Sequence, residues 1–206
     1  MSDAIRIQIK DNDGSDVCGL SWKIDNPKGN ILIFEGMEEH SYRYDALAKH
    51  LNGEGFDVYC LDYYGQGQNV ASDLQNIGVW PIDGFSKMID NMHLLIKNIN
   101  SNVPTSVFAH SMGSYVAQGF IQRYSSEIDR VILCGSGAKD GAVSIGLMLA
   151  KMITTKKKRN VKAKMLNNLM FGNFNKRIKE PRTSFDWLSY NEENVDTYIA
   201  DPLSGF

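Results

Sequence analysis

The sequence predicts an α/β protein, a mostly parallel sheet with flanking helices and a helical cap. Three observations carry this. Short continuous apolar runs at residues 30–34, 56–61, 106–109 and 130–134 suit strands covered on both faces. Helix-length segments with apolar residues three and four apart separate them, as crossovers between parallel strands require. Beyond residue 141 helical periods continue but strand-like runs stop.

The elements follow in order. Residues 5–10 and 18–24 read as antiparallel strands joined by Asp11-Asn12-Asp13-Gly14, a turn-forming cluster. After Pro27-Lys28-Gly29 comes the strand at 30–34, then a helix over 41–52 closed by Gly53 and Gly55. The strand at 56–61 ends at Asp62, and residues 63–81, with Gly65, Gly67, Gly78 and Pro81, are irregular. Ile82, Phe85, Ile89, Met92, Ile96 and Ile99 predict an amphipathic helix over 82–99, with Ser86, Asp90, His93 and Lys97 on its solvated stripe. A strand at 106–109, a helix after Ser111 and a strand at 130–134 complete the alternation. Residues 1–140 are the expected core and 141–206 the expected, partial cap, with short helices within 187–198.

A composition of 43% hydrophobic and 22% charged residues with net charge −2 gives no global signal for nucleic-acid binding. Residues 1–10 hold no apolar run of signal-peptide length, and no stretch approaches a membrane span. Cys18, Cys60 and Cys134 sit in strand-like segments and read as reduced, buried hydrophobes, not as disulfides or a metal site. A cytoplasmic protein is the natural inference.

The chemistry concentrates at residues 103–124, where a buried strand runs through Ala109-His110-Ser111-Met112-Gly113 into a helix. In a strand–turn–helix of this kind, a strained elbow lifts the Ser111 hydroxyl above the sheet and aims the Met112 N–H at a developing oxyanion. The second donor of such a site comes from the loop after the third strand. By position it is the Met37 N–H, with Gly36 allowing close approach. The competing reading is a surface serine in a small-residue turn; the strand and helix around Ser111 argue against it.

The four histidines are His40, His50, His93 and His110, and none follows Ser111. Serine hydrolases of this architecture take the acid and then the histidine from downstream of the nucleophile. His110 should diverge from its neighbour Ser111, His93 falls on the solvated stripe, His50 sits at a helix end, and His40 orders its loop. Asp140, Asp186 and Asp201 lie in the expected cap or at its junction, so neither a triad acid nor a triad histidine is assigned.

Several segments carry a family resemblance. Glu35-Gly36-Met37-Glu38-Glu39-His40-Ser41-Tyr42-Arg43-Tyr44 resembles the His-Gly-x-x-Glu-His-Ser-x-Arg-Tyr segment of monoacylglycerol lipases and bacterial lysophospholipases, α/β-hydrolases of the serine aminopeptidase-like group. Asp62-Tyr63-Tyr64-Gly65-Gln66-Gly67 resembles their Asp-His-Arg-Gly-His-Gly loop, and His110-Ser111-Met112-Gly113-Ser114 their elbow. Residues 182–189 through 201–203 resemble their cap. The resemblance implies an α/β-hydrolase fold of which this chain is the first two thirds. The C-terminal strands would be absent, about three strand–helix units of roughly 30 residues each. It further implies a serine ester hydrolase acting through an acyl-enzyme on Ser111, without metal or cofactor. The substrate would be a lipid-like ester of monoacylglycerol or lysophospholipid type, and the chain alone would be inactive.

The departures are Ala109 for the elbow's first glycine, Glu35 for a histidine, and Tyr63, Tyr64 and Gln66 for basic and imidazole residues. They motivate a rival, a non-catalytic protein binding an acyl ligand or a partner, since a carboxylate at Glu35 would oppose an oxyanion. A peptidase or acyltransferase is the rival within enzymes. Ile145, Leu147, Met148, Leu149, Met152 and Ile153 would suit an acyl funnel, although packing of the cap explains most of them more simply. Lys156, Lys157, Lys158 and Arg159 offer weak membrane-surface contact or a solvated helix end. The strand at 130–134 is expected to present an open apolar edge, inviting self-association.

Overall fold

The chain opens with a hairpin of β1 (Ile5–Lys10) and β2 (Asp16–Trp22), antiparallel. The Asp11 carboxylate closes its turn, accepting the N–H groups of Asp13 at 2.9 Å and Ser15 at 2.8 Å, while Gly14 takes a φ of 82°. The computed structural model describes residues 2–99, 101–137, 171–172 and 174–206. By contacts the chain divides into two units, residues 1–137 with Phe206, and residues 138–205.

In the first unit β3 (Gly29–Phe34), β4 (Phe56–Leu61), β5 (Thr105–His110) and β6 (Arg130–Cys134) join the hairpin. The six-stranded sheet has the order β1-β2-β4-β3-β5-β6. β2 meets β4 antiparallel, and the pairs β3–β4, β3–β5 and β5–β6 are parallel. Crossovers carry α1 (Asp45–Gly53), α2 (Gly84–Lys97) and α3 (Met112–Tyr124). The strands expected at 5–10, 56–61 and 130–134 have those bounds. β2 stops at Trp22 because the Ile24 N–H leaves the ladder for the Asp57 carboxylate, 2.8 Å away.

Alternation along the strands sorts the core onto two faces. Leu32, Phe34, Leu61, Val107 and Ala109 pack with Met88, Ile89 and Met92 of α2 and Val116 and Phe120 of α3. Leu20, Trp22, Ile33, Val58 and Cys60 pack with Tyr44 and Ala48 on the α1 side. The fully buried Trp22 donates its indole N–H to Asp45 at 2.9 Å, the partner a buried indole needs.

Four expectations are corrected. The helix predicted over 41–52 is a 3-10 turn, Ser41–Tyr44, followed by α1. α2 begins at Gly84, not 82, because Asp83 after Pro81 adopts a left-handed φ of 59°; Ile82 and Phe85 are consequently exposed. Of the stripe predicted to be solvated, Lys97 is exposed as expected, whereas Ser86, Asp90 and His93 are half-buried in a polar seam. Arg123 donates to Ser86 at 3.0 Å and to Asp90 at 3.3 Å, and the Tyr124 hydroxyl donates to Asp90 at 3.0 Å. His93 stacks on Tyr124 with ring centroids 4.0 Å apart, and Lys97 reaches Glu127 at 2.9 Å. Finally, Cys18 and Cys60 are buried but Cys134 is exposed, because β6 is the outer strand of the described sheet. Val131, Ile132 and Leu133 are exposed with it.

The described part of the second unit holds 3-10 turns at Phe174–Arg177 and Asp186–Leu188 and a helix at Glu192–Ala200, capped by the Asn191 side chain accepting from the Glu193 N–H at 2.9 Å. Phe171, Phe174 and Trp187 form an aromatic cluster beneath these turns. Residues 143–153, 156–159 and most of 161–171 lie outside the described residues, as does Asp140.

Candidate active site

β5 ends at His110 and α3 starts at Met112, leaving Ser111 alone at the junction with φ 49° and ψ −118°. A non-glycine residue held there stores strain of about 1–3 kcal/mol, and surrounding bonds must hold it in place. The Ser111 N–H donates to the Cys134 carbonyl at 2.9 Å. The Ser111 carbonyl accepts both the N–H and the hydroxyl of Ser114, at 2.9 and 2.6 Å. Gly113 explains the sharpness of the turn, since a Cβ there would overlap the carbonyl oxygens of Phe34 and Glu35. The end of β3 and the start of α3 therefore touch backbone to backbone. Met112 is the first residue of α3, where an N–H has no acceptor within the helix and carries the positive end of its dipole.

The loop after β3 lies against this elbow. The Gly36 N–H donates to the Glu39 carboxylate, and the Glu38 N–H donates to Gln66 Oε1 at 3.0 Å. Among the described residues no hydrogen bond takes the Met37 N–H between them. Gly36 was expected to admit a close approach; the groups that approach it are Glu39 Oε1 and His110 Nδ1, which a Cβ would strike.

Glu39 itself is the residue that sequence reasoning quoted without singling out. Its buried carboxylate also accepts the Tyr44 hydroxyl at 2.7 Å, contacts Arg43 Nε at 3.4 Å, and lies 3.1 Å from His110 Nδ1. Burial alone would raise its pKa, but the bonds from His110, Tyr44 and the Gly36 N–H outweigh that and hold it below the usual carboxyl value. The same bond to Glu39 raises the His110 pKa against its partial burial. A local signal existed in the i, i+4 spacing of Glu39 and Arg43.

Glu35 does not present an exposed carboxylate. It is fully buried, and Oε1 accepts the Tyr63 N–H at 2.9 Å and Gln66 Nε2 at 2.7 Å, while Oε2 has no hydrogen-bond partner among the described residues. Burial, then the nearby Asp62, pushes its pKa well above the usual range and so favours the protonated acid. Gln66 Nε2 also lies 3.0 Å from the carbonyls of Gly36 and Glu39, so one carboxamide knits the loop. Tyr63 is buried edge-on to Trp80, and Tyr64 joins Asp11 to Asn91 through its hydroxyl at 3.1 and 2.9 Å. Asp62 accepts the N–H groups of Ser41 and Gln68 at 2.7 and 2.8 Å.

No imidazole among the described residues bonds to Ser111. His110 is turned to Glu39, His93 lies in the α2–α3 seam, His50 is exposed in the last turn of α1, and His40 is buried near Asp62. In the second unit, Asp186 accepts from the Thr183 N–H at 3.0 Å and Asp201 from the Leu203 N–H at 2.9 Å, both capping turns. Among the described residues no group of three or more His, Cys, Asp or Glu side chains could hold a metal, and no helix is long and apolar enough to cross a membrane.

A parallel sheet, a serine between strand and helix, and a loop packed on that elbow define the α/β-hydrolase class, and the chain has that fold. A family model described as "Serine aminopeptidase, S33" matches residues 25–206, and the chain belongs to this family. It is 24% identical over 183 residues to a monoacylglycerol lipase of Mycolicibacterium smegmatis, covering 86% of this chain and 57% of that protein. It is 25% identical over 196 residues to the monoglyceride lipase of Homo sapiens, covering 88% of this chain and 54% of that one. A carboxyl esterase from Bacillus coagulans, solved with glycerol, superimposes with a TM-score of 0.85 at 28% identity, over all of this chain and 68% of its own. The chain thus spans about half the length of the curated relatives it matches.

Proposed function

We propose that this chain forms part of a serine ester hydrolase acting on lipid-like carboxylic esters of the monoacylglycerol or lysophospholipid type, with Ser111 as nucleophile. The observation that carries the reading is the backbone of Ser111, held at φ 49° between a parallel strand and a helix N-terminus. In the reaction Ser111 Oγ adds to the ester carbonyl, and its proton passes to a base. The oxyanion is taken by the N–H groups of Met112 and Met37, with Gly36 shaping the loop. Collapse expels the alcohol and leaves an acyl-enzyme, which water hydrolyses to free acid.

No base or acid is assigned among His40, His50, His93 and His110, none of which bonds to Ser111 among the described residues. On this reading residues 1–140 belong to the hydrolase core and 141–206 to a cap, and the 206 residues alone are inactive. Ester rather than peptide chemistry is favoured because the relatives in the previous section are named as lipases and an esterase. The free thiols of Cys18, Cys60 and Cys134 support a reducing compartment such as the cytoplasm.

The rival of a non-catalytic acyl-binding protein rested on a carboxylate opposing the oxyanion. The burial of Glu35, which pushes its pKa up, and its bonds to Tyr63 and Gln66 weigh against that rival. The test is to treat protein from its native source with a fluorophosphonate and map the adduct by peptide mass. A single adduct on the Ser111 peptide is expected. Esterase activity whose adduct falls on another residue, or bound fatty acid with no adduct at all, would overturn the reading.

A further inference from the structure

Glu39 lies in the loop between β3 and the 3-10 turn, a region usually open to solvent. Yet its carboxylate is nearly buried and gathers donors from three places. Gly36 N–H comes from its own loop, Arg43 and Tyr44 from the following turn, and His110 from the end of β5. Burying a charge costs several kcal/mol unless it is well bonded, so an apolar side chain would serve better if the site needed only filling. What the charge adds is direction. His110 is covalently joined to Ser111, so the Glu39–His110 contact connects the loop to the residue directly before the serine.

The consequence falls on three consecutive amides. The N–H of residue 36 is held by Glu39, and that of residue 38, at a left-handed φ of 60°, is held by Gln66. The middle amide, Met37, is thereby set between two fixed neighbours. We propose that Glu39 is a positioning residue that, through His110 and the Gly36 N–H, sets where the Met37 amide stands relative to Ser111; this rests on the nucleophile reading above. The charged groups facing the carboxylate are His110 and Arg43, with the Tyr44 hydroxyl beside them and buried Glu35 behind. The link is therefore strongest while Glu39 is ionised and His110 protonated, and it weakens to a bond between a neutral imidazole and the carboxylate as pH rises through the raised value of His110.

The test uses the full-length protein and two readouts, amide hydrogen exchange at residues 36–38 and the rate of fluorophosphonate labelling at Ser111, across about pH 5 to 9. Glu39→Gln should speed exchange at Gly36, the amide that Glu39 holds, and slow labelling, each about tenfold or more. His110→Gln keeps a donor without the charge. It should retain most of the labelling rate but lose the pH step that the wild type shows above the ordinary imidazole value of 6.5. His110→Ala should loosen residues 36–38 as Glu39→Gln does, which carries the test if Glu39→Gln fails to fold.

Unchanged exchange and an unchanged pH profile in Glu39→Gln would overturn the proposal, as would equal effects of His110→Gln and His110→Ala. If exchange responds but wild-type Ser111 is never labelled, the positioning role stands and the nucleophile reading falls. If Ser111 is labelled at a rate indifferent to Glu39, the nucleophile stands and the positioning role falls.

Discussion

The N–H of Ser111 is bonded to the carbonyl of Cys134 at 2.9 Å, so the strained residue at the elbow is held by the outermost strand of the described sheet. The bond extends the β5–β6 ladder one residue past its last paired position, His110 with Cys134. Strain at Ser111 and integrity of the edge strand are therefore coupled.

Relieving that strain should be measurable. Glycine reaches the Ser111 backbone angles at little cost, so Ser111→Gly should stabilise the fold by about 1 kcal/mol while abolishing fluorophosphonate labelling. Urea unfolding beside Ser111→Ala, which keeps a Cβ, is the comparison. Equal midpoints for the two variants would mean that the elbow stores no strain.

Gly113→Ala should do the opposite. The added Cβ meets two backbone carbonyls, which cannot rotate aside as a side chain can. A loss of about 3 kcal/mol is expected. Thermal melts would show this directly, and a near-neutral change would mean that α3 can withdraw from β3.

Glu35 makes a prediction about pH. Its folded pKa is raised by burial and by Asp62, so the stability it contributes is complete below the ordinary value of 4.5 and is lost as pH climbs towards the folded value. Glu35→Gln cannot ionise and keeps an acceptor for the Tyr63 and Gln66 donors. Its advantage over wild type should therefore widen from pH 4.5 upward. Glu35→Leu should cost about 2–3 kcal/mol below pH 4.5 by stranding those donors, and less as wild type loses stability above it. Parallel curves of urea midpoint against pH for wild type and Glu35→Gln would refute the neutral acid.

The open strand predicts self-association of the 206-residue chain. Ile132 on β6 is 61% exposed and Val131 and Leu133 are exposed beside it, and among the described residues β6 pairs with β5 alone. Light scattering coupled to gel filtration should find oligomers or poor recovery, and Ile132→Lys should shift the chain towards monomer with less than about 0.5 kcal/mol change in stability. A sharp wild-type monomer peak would contradict this.

Much of this architecture was legible in the chain. The strands at 5–10, 56–61 and 130–134 are local runs bounded by turn residues, and local pattern fixes their ends. Ser111 was legible because a strand, a small-residue turn and a helix must follow in order for the elbow to form. Other features depend on what the chain meets at a distance. Periodicity marked Asp90 and His93 as polar but could not show that Arg123 and Tyr124 arrive opposite them. Cys134 has a strand's apolar neighbours, and only sheet order reveals that it is exposed. Glu35 looked hostile to an oxyanion until the fold placed Tyr63 and Gln66 on its carboxyl group.

The carboxamide of Gln66 has two hydrogens and faces three acceptors, one of them the Glu35 carboxyl oxygen. Glutamine at position 66 and glutamate at position 35 thus depend on one another within the fold. Exchanging Glu35 alone for an imidazole would set a ring against a fixed amide donor, and exchanging Gln66 alone would leave a buried acid unanswered. A change at either position alone therefore weakens the loop, and only a paired change can leave each of its buried polar groups answered.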